Sequence, residues 1–265
     1  SMADYTRAKA NILAYQSPAD RAVLNADDPG SRALAGGAAG RVLWFSLEGG
    51  VEEGAFLRGE GLYLRRDLRE ERLCGVDEVR LRGRHNLANV LAAACCAGAA
   101  GAGAEAMGAA VRAFGGVPHR LEVVRRVGGV TWVNDSIATS PERAIAALRA
   151  YSEPLVLLAG GRDKHLPWEG WADLVLERVH TVVAFGEAAP LIAAALDAAR
   201  RRRGLANGAG CRLEAAATLA EGVARAAQCA RPGDVVLLSP GGTSFDAFVD
   251  FEARGRAFRD LVGGL

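Results

Sequence analysis

The stretch that decides the architecture is Val130-Thr-Trp-Val-Asn134-Asp135-Ser-Ile137-Ala-Thr139-Ser140-Pro141. A short apolar run ends in a polar loop. Ser140 then marks a helix start as N-cap, with Pro141 at the first helical position. The same grammar repeats downstream. Residues 155–159 are wholly apolar and precede a helix over 168–178, and residues 181–185 lead into a helix over 187–202. Thr218-Leu-Ala-Glu221 reads as a capping box opening a helix to about 230, and residues 235–239 precede a last helix over 251–262. Apolar strands alternating with helices predict an α/β fold with a Rossmann-like, doubly wound, mostly parallel sheet covered on both faces.

Upstream the pattern changes. Residues 23–25 and 42–45 read as short strands, and 54–66 alternates around Gly59 and Gly61 like a hairpin. Helices are expected over 87–100 and 105–114, and Gly115-Gly116-Val117-Pro118 stops the second. The expected organisation is an α/β domain over 1–117, followed by the doubly wound domain over 118–265. With about 150 residues per domain as a prior, 265 residues suit one to two domains.

Composition narrows the function. Half the chain is hydrophobic and 24% is charged, the balance of a globular protein with a real core. Aromatics are only 6%, so Ala, Val and Leu must fill that core. The net charge of +1 argues against a general nucleic-acid binder. The longest uncharged run, residues 90–104, is Ala- and Gly-rich and shorter than the ~18 residues of a membrane span. The first residues do not read as a signal peptide, and Ser1-Met2 reads as a remnant of tag removal. Cys74, Cys95, Cys96, Cys211 and Cys229 form no CxxC, which argues against zinc and disulfides and for a cytoplasmic setting.

Ligands of such sheets bind at the carboxyl ends of the strands. Three loops fall there, 135–140, 160–164 and 240–246, each combining small or hydroxyl residues with a charge. Asp135 can accept bonds from ribose hydroxyls, and Thr139 and Ser140 face a helix start that favours anions. Lys164 can neutralise a carboxylate, and Ser244 lies in an anion-type loop. Arg120, at the domain junction, can reach phosphate or ribose, or simply pair with Glu122. Asn86 and Asn89 share a face near a helix start, where their amides can read a base edge. The plainer alternative is that Asn86 caps the helix and His85 packs beside it. Arg200–Arg203 is assigned to the solvated surface at a helix end. No phosphate-loop motif and no convincing dinucleotide fingerprint occurs, which disfavours a nicotinamide-dependent oxidoreductase.

In order, Tyr5-Thr-Arg-Ala-Lys9, Leu24-Asn-Ala-Asp-Asp28, Gly83-Arg-His85-Asn86-Leu-Ala-Asn89, Pro118-His-Arg120-Leu-Glu122, Asn134-Asp-Ser136, Gly160-Gly161, Leu238-Ser-Pro240 and Phe251-Glu-Ala-Arg-Gly255 resemble the Mur ligases of peptidoglycan synthesis. The resemblance is strongest to the branch that adds glutamate. It implies the later part of a central ATPase domain, followed by a complete C-terminal domain. It implies a cytoplasmic, monomeric ligase that uses ATP and Mg2+ to join glutamate to UDP-N-acetylmuramoyl-L-alanine through an acyl phosphate, with no nucleic-acid or membrane partner. By this resemblance Lys9 is the lysine that carbamylation converts into a magnesium-binding carboxylate. His85, Asn86, Asn89, Arg120 and Asp135 fall to the nucleotide, and Thr139, Lys164, Ser244, Phe245 and Phe251 to the incoming glutamate. Ile137 stands where many members carry lysine, so D- and L-glutamate both remain open as acceptors. A non-catalytic binding module with the same fold is the alternative.

Overall fold

The computed structural model describes residues 1–206 and 209–265, which divide into two compact units, Ser1–Gly115 and Gly116–Leu265. The first unit holds α1 (Met2–Ala14), β1 (Arg21–Asn25), α2 (Pro29–Leu34), β2 (Arg41–Ser46), β3 (Gly54–Arg58), β4 (Gly61–Arg66), β5 (Arg69–Gly75), α3 (Arg84–Ala99) and α4 (Ala104–Ala113). Its sheet runs in chain order. β1, β2 and β3 are parallel, and β3, β4 and β5 are antiparallel. The hairpin expected around Gly59 is β3–β4. Leu43, Ala55, Leu62, Leu64, Leu73, Leu91, Cys95 and Met107 form the core, dominated by aliphatic side chains as the composition requires.

The second unit holds β6 (Glu122–Val127), β7 (Val130–Asn134), α5 (Pro141–Leu148), β8 (Leu155–Gly160), α6 (Glu169–Arg178), β9 (Val179–Phe185), α7 (Ala189–Arg202), β10 (Arg212–Ala216), α8 (Leu219–Cys229), β11 (Val235–Gly241) and α9 (Phe251–Gly263). The strand order is β10-β9-β8-β11-β7-β6, parallel except for β6 at the edge. β8 and β11 are buried at every position, the signature of strands covered on both sides. One face packs α5, α6 and α7 through Leu148, Trp171, Val175, Ile192 and Leu196. The other packs α8 and α9 through Val223, Ala226, Phe258 and Val262. Each of those fully buried Leu, Ile and Val side chains contributes about 1.5–3 kcal/mol.

Several local expectations are corrected. Ser140 occupies the N-cap position of α5, but its side chain makes no capping bond. The N-cap of α3 is Gly83, so Asn86 lies within the first turn instead of capping it. Only half of the capping box of α8 forms. Thr218 accepts the Glu221 N–H at 3.2 Å, while Glu221 turns to the Ala217 N–H at 2.8 Å. Arg200 is 3% exposed, not solvated. Its guanidinium donates to the Ala209 and Cys211 carbonyls at 3.0 and 2.7 Å and pairs with Asp197 at 2.8 Å. The Ala209 and Cys211 carbonyls, beyond the end of α7, hold the Arg200 guanidinium inside, whereas Arg202 and Arg203 pair with Asp173 and Glu177 at the surface.

Candidate active site

Adjacent strands β8 and β11 send the chain to opposite faces of the sheet, into α6 and α9, and the loops that follow them therefore border a crevice. The two loops are joined just beyond the sheet. Arg162 and Thr243 exchange backbone bonds of 2.9 and 2.8 Å. Gly161 makes the approach possible. Its φ is +94°, and a Cβ there would overlap the Thr243 carbonyl oxygen.

Loop 135–140, after β7, supplies the neighbouring wall. Thr139 is half-buried, and its hydroxyl receives the exposed Lys164 ammonium at 3.3 Å. The structure thus brings together two of the residues expected to hold an amino-acid substrate. The Lys164 loop is fixed from below by Asp163, which accepts the Trp168 indole N–H at 3.1 Å. Burial pushes the Asp163 carboxyl up, but hydrogen bonds from Trp168 and from the Lys164 and His165 backbone outweigh it and leave it below the ordinary value.

Asp135 and Ser244 lie deeper. Asp135 is 4% exposed and ties three segments together, accepting the Leu121 N–H at 3.2 Å and the Ser239 hydroxyl at 2.9 Å. Burial raises its pKa to about 7, against hydrogen bonds and the positive charges of Arg120 and Arg143. Ser244 is buried, and its carbonyl turns the chain by accepting the Ala247 and Phe248 N–H groups. Phe251 meets the His119 ring edge-on, while Phe245 and Arg120 are exposed. Of the two alternatives for Arg120, the pair with Glu122 does not form, because Glu122 pairs with Arg259 at 2.8 Å and caps the His119 N–H at 2.8 Å.

Sequence reasoning missed the group that organises these loops. Arg254, fully buried in α9, donates to the Ser136 hydroxyl (3.0 Å) and to the Ser136, Gly242 and Thr243 carbonyls (2.9, 3.2 and 3.1 Å). Burial lowers its pKa to about 10, so it remains charged. It was also blind to His119, which is buried and receives the Asn134 amide at 2.9 Å. Desolvation keeps His119 below its ordinary pKa, hence neutral and able to accept that bond. The readable signal was Arg254-Gly255. A glycine inside a helix marks close approach, and here His119 lies where a Cβ would be.

In the first unit, Asn86 is buried and donates to the Arg82 carbonyl at 2.8 Å, and its oxygen accepts the Asn89 amide at 3.2 Å. The pair shares one face of α3, with half-buried His85 beside it and Asn89 exposed. Lys9 is exposed on α1, its ammonium 5.6 Å from the Tyr5 ring centroid. Among the described residues no group of three or more His, Cys, Asp or Glu is placed to hold a metal. An ammonium at Lys9 repels a cation, so these residues do not by themselves assemble a Mg2+ site. No helix among the described residues is long and apolar enough to cross a membrane.

Residues 1–97 match the Mur ligase middle domain and residues 119–242 the Mur ligase glutamate ligase domain. The chain belongs to the Mur ligase family. Among curated relatives, it is 47% identical over 267 residues to the UDP-N-acetylmuramoylalanine–D-glutamate ligase of Symbiobacterium thermophilum, covering 100% of this chain and 57% of the relative. The ligase of the same name from Pelotomaculum thermopropionicum is 40% identical, with 100% and 56% covered. The chain therefore spans a little over half the length of these relatives. Among solved structures, UDP-N-acetylmuramate-alanine ligase from Thermotoga maritima matches with a TM-score of 0.65 at 16% identity, covering 100% of this chain and 56% of that one. A pseudomurein peptide ligase type C from Methanothermus fervidus matches with 0.65 at 15%, covering 100% and 60%. At such identities the likeness concerns the fold.

Proposed function

We propose that this chain supplies the amino-acid-binding half, and part of the nucleotide-binding half, of an ATP-dependent ligase. That ligase joins D-glutamate to UDP-N-acetylmuramoyl-L-alanine in peptidoglycan precursor synthesis, in the cytoplasm. The observation that carries the reading is the Lys164–Thr139 pair at the switch crevice of a Mur ligase C-terminal domain. The names of the most similar relatives favour D-glutamate over its mirror image.

ATP, as substrate, supplies the γ-phosphoryl group that activates the acceptor carboxylate. This chain's residues then act by placement and charge. Lys164 neutralises a carboxylate of the incoming glutamate, and the Thr139 hydroxyl orients it. Ser244 and Phe251 close the pocket, and exposed Phe245 borders its mouth. Exposed Arg120 meets phosphate oxygens, while Asn89, held by Asn86 and flanked by His85, presents its amide to the adenine edge. Asp135, with both oxygens engaged by protein, acts chiefly by fixing the loop that presents Thr139. The described residues assemble no Mg2+ site.

The test joins this chain to the segment preceding the match in the Symbiobacterium relative and supplies ATP, UDP-N-acetylmuramoyl-L-alanine and D- or L-glutamate. Amide product with D-glutamate is expected, and none from the 265 residues alone. Absence of product with either enantiomer overturns the reading; product with L-glutamate only overturns its stereochemistry.

A further inference from the structure

A second cation besides Lys164 reaches loop 135–140. Arg143, in the first turn of α5, is exposed, and among the described residues it forms no ion pair. Its Nη1 donates to the Ile137 carbonyl at 3.4 Å, and the same carbonyl accepts the Thr139 N–H at 2.8 Å. The guanidinium thus rests against the turn that presents Thr139, whose hydroxyl receives Lys164. Helix stability does not account for an arginine here, because a cation in the first turn faces the positive end of the helix dipole. One long bond to a carbonyl leaves most of the planar five-donor fork open. Such a fork matches a carboxylate bidentately, and the neighbouring ammonium and hydroxyl make the spot one for a polyanionic, carboxylate-bearing molecule.

Resting on the function proposed above, we infer that Arg143 is a substrate ligand whose guanidinium clasps a carboxylate beside Thr139 and Lys164. Two sources present that chemistry, the second carboxylate of glutamate and the terminal carboxylate of the acceptor's alanine. Arg143 therefore sets the requirement for an acid at that position.

Two experiments decide it. In the first, this chain is titrated with D-glutamate and, separately, with N-acetylmuramoyl-L-alanine. The Nε–H resonance of Arg143, identified as the one missing in Arg143→Gln, is followed by NMR. A saturable shift with one acid, absent with its carboxamide counterpart, is expected and names the source. A resonance unmoved by both acids overturns the inference. In the second, ligation kinetics of the joined protein are compared for Arg143→Gln, Arg143→Lys and the charge control Arg149→Gln. Arg149 is exposed at the far end of α5. Arg143→Gln is expected to raise one carboxylate substrate's KM about tenfold, the loss of a charged hydrogen bond, with kcat little changed. Arg143→Lys should fall between, and Arg149→Gln should match the parent. Unchanged KM values for both substrates in Arg143→Gln overturn the inference. A parent that does not ligate overturns the proposed function and leaves the titration to decide Arg143.

Discussion

Replacing Asp135 by Asn tests the electrostatics of the loop that presents Thr139. The carboxyl is 4% exposed, and its pKa rises from 3.8 to about 7 on folding, chiefly through desolvation. A raised carboxyl pKa means that the folded chain binds the proton more tightly than the unfolded chain does. The stabilisation from protonated Asp135 is therefore complete below about pH 4 and is lost as the pH climbs through about 7. A shift of about three units at 1.36 kcal/mol each amounts to about 4 kcal/mol. Asn keeps both bonds without the charge, since its oxygen can accept the Leu121 N–H and its amide can donate to the Ser239 hydroxyl. At pH 8 Asp135→Asn should stabilise the second unit by up to about 4 kcal/mol, and at pH 4 the gap should close to within about 1 kcal/mol. Urea unfolding followed by tryptophan fluorescence measures this. With Trp44→Phe as background, the remaining tryptophans, Trp132, Trp168 and Trp171, all belong to the second unit. A stability difference that does not vary with pH, or an Asn variant less stable at pH 8, would refute the reasoning.

Arg254→Met should destabilise the second unit by about 3–5 kcal/mol in the same unfolding assay, since the Ser136 and Gly242 carbonyls lose their guanidinium donor and the Thr243 carbonyl keeps only the Arg162 N–H. Arg254→Lys should recover only part, because an ammonium cannot span the two loops. Gly255→Ala should cost about 1–3 kcal/mol by driving a methyl into the His119 ring, and it should shift the His119 ring resonances in NMR. Arg200→Ala should cost about 2–4 kcal/mol by orphaning the Ala209 and Cys211 carbonyls, whereas exposed Arg201→Ala should stay within about 0.5 kcal/mol. Equal effects of the Arg200 and Arg201 substitutions would return the whole run to the solvated surface.

The central strands and every helix of the second unit were legible in the sequence because burial on both faces leaves an uninterrupted apolar run. The strands that escaped notice lie at sheet edges. β5 begins Arg69-Glu-Glu-Arg72, β6 carries Arg125 and Arg126, and β10 alternates Arg212 with Glu214. Edge strands are half solvated and keep charges that discourage further pairing, so they do not look like strands when read for hydrophobicity. The site divides similarly. Thr139 and Lys164 were legible because loops at strand ends advertise hydroxyls and charges. Arg254 was not, because an arginine in a helix near the C-terminus reads as a solvent-facing residue. Only tertiary contact reveals that two loops close over it. Asp135 reads in the sequence as an acceptor for ribose hydroxyls, but its burial depends on Leu121 and Ser239, distant in sequence.

Arg254 also bears on how the loops can diverge. Of its five bonds, all but the one to the Ser136 hydroxyl end on main-chain carbonyl oxygens. A clamp that grips backbone places no demand on most of the side chains those loops display. Residues facing the crevice can be exchanged while the two loops keep their mutual position. What the crevice displays and what holds it in shape are thereby separated, so single substitutions in the loops can change the one and leave the other standing.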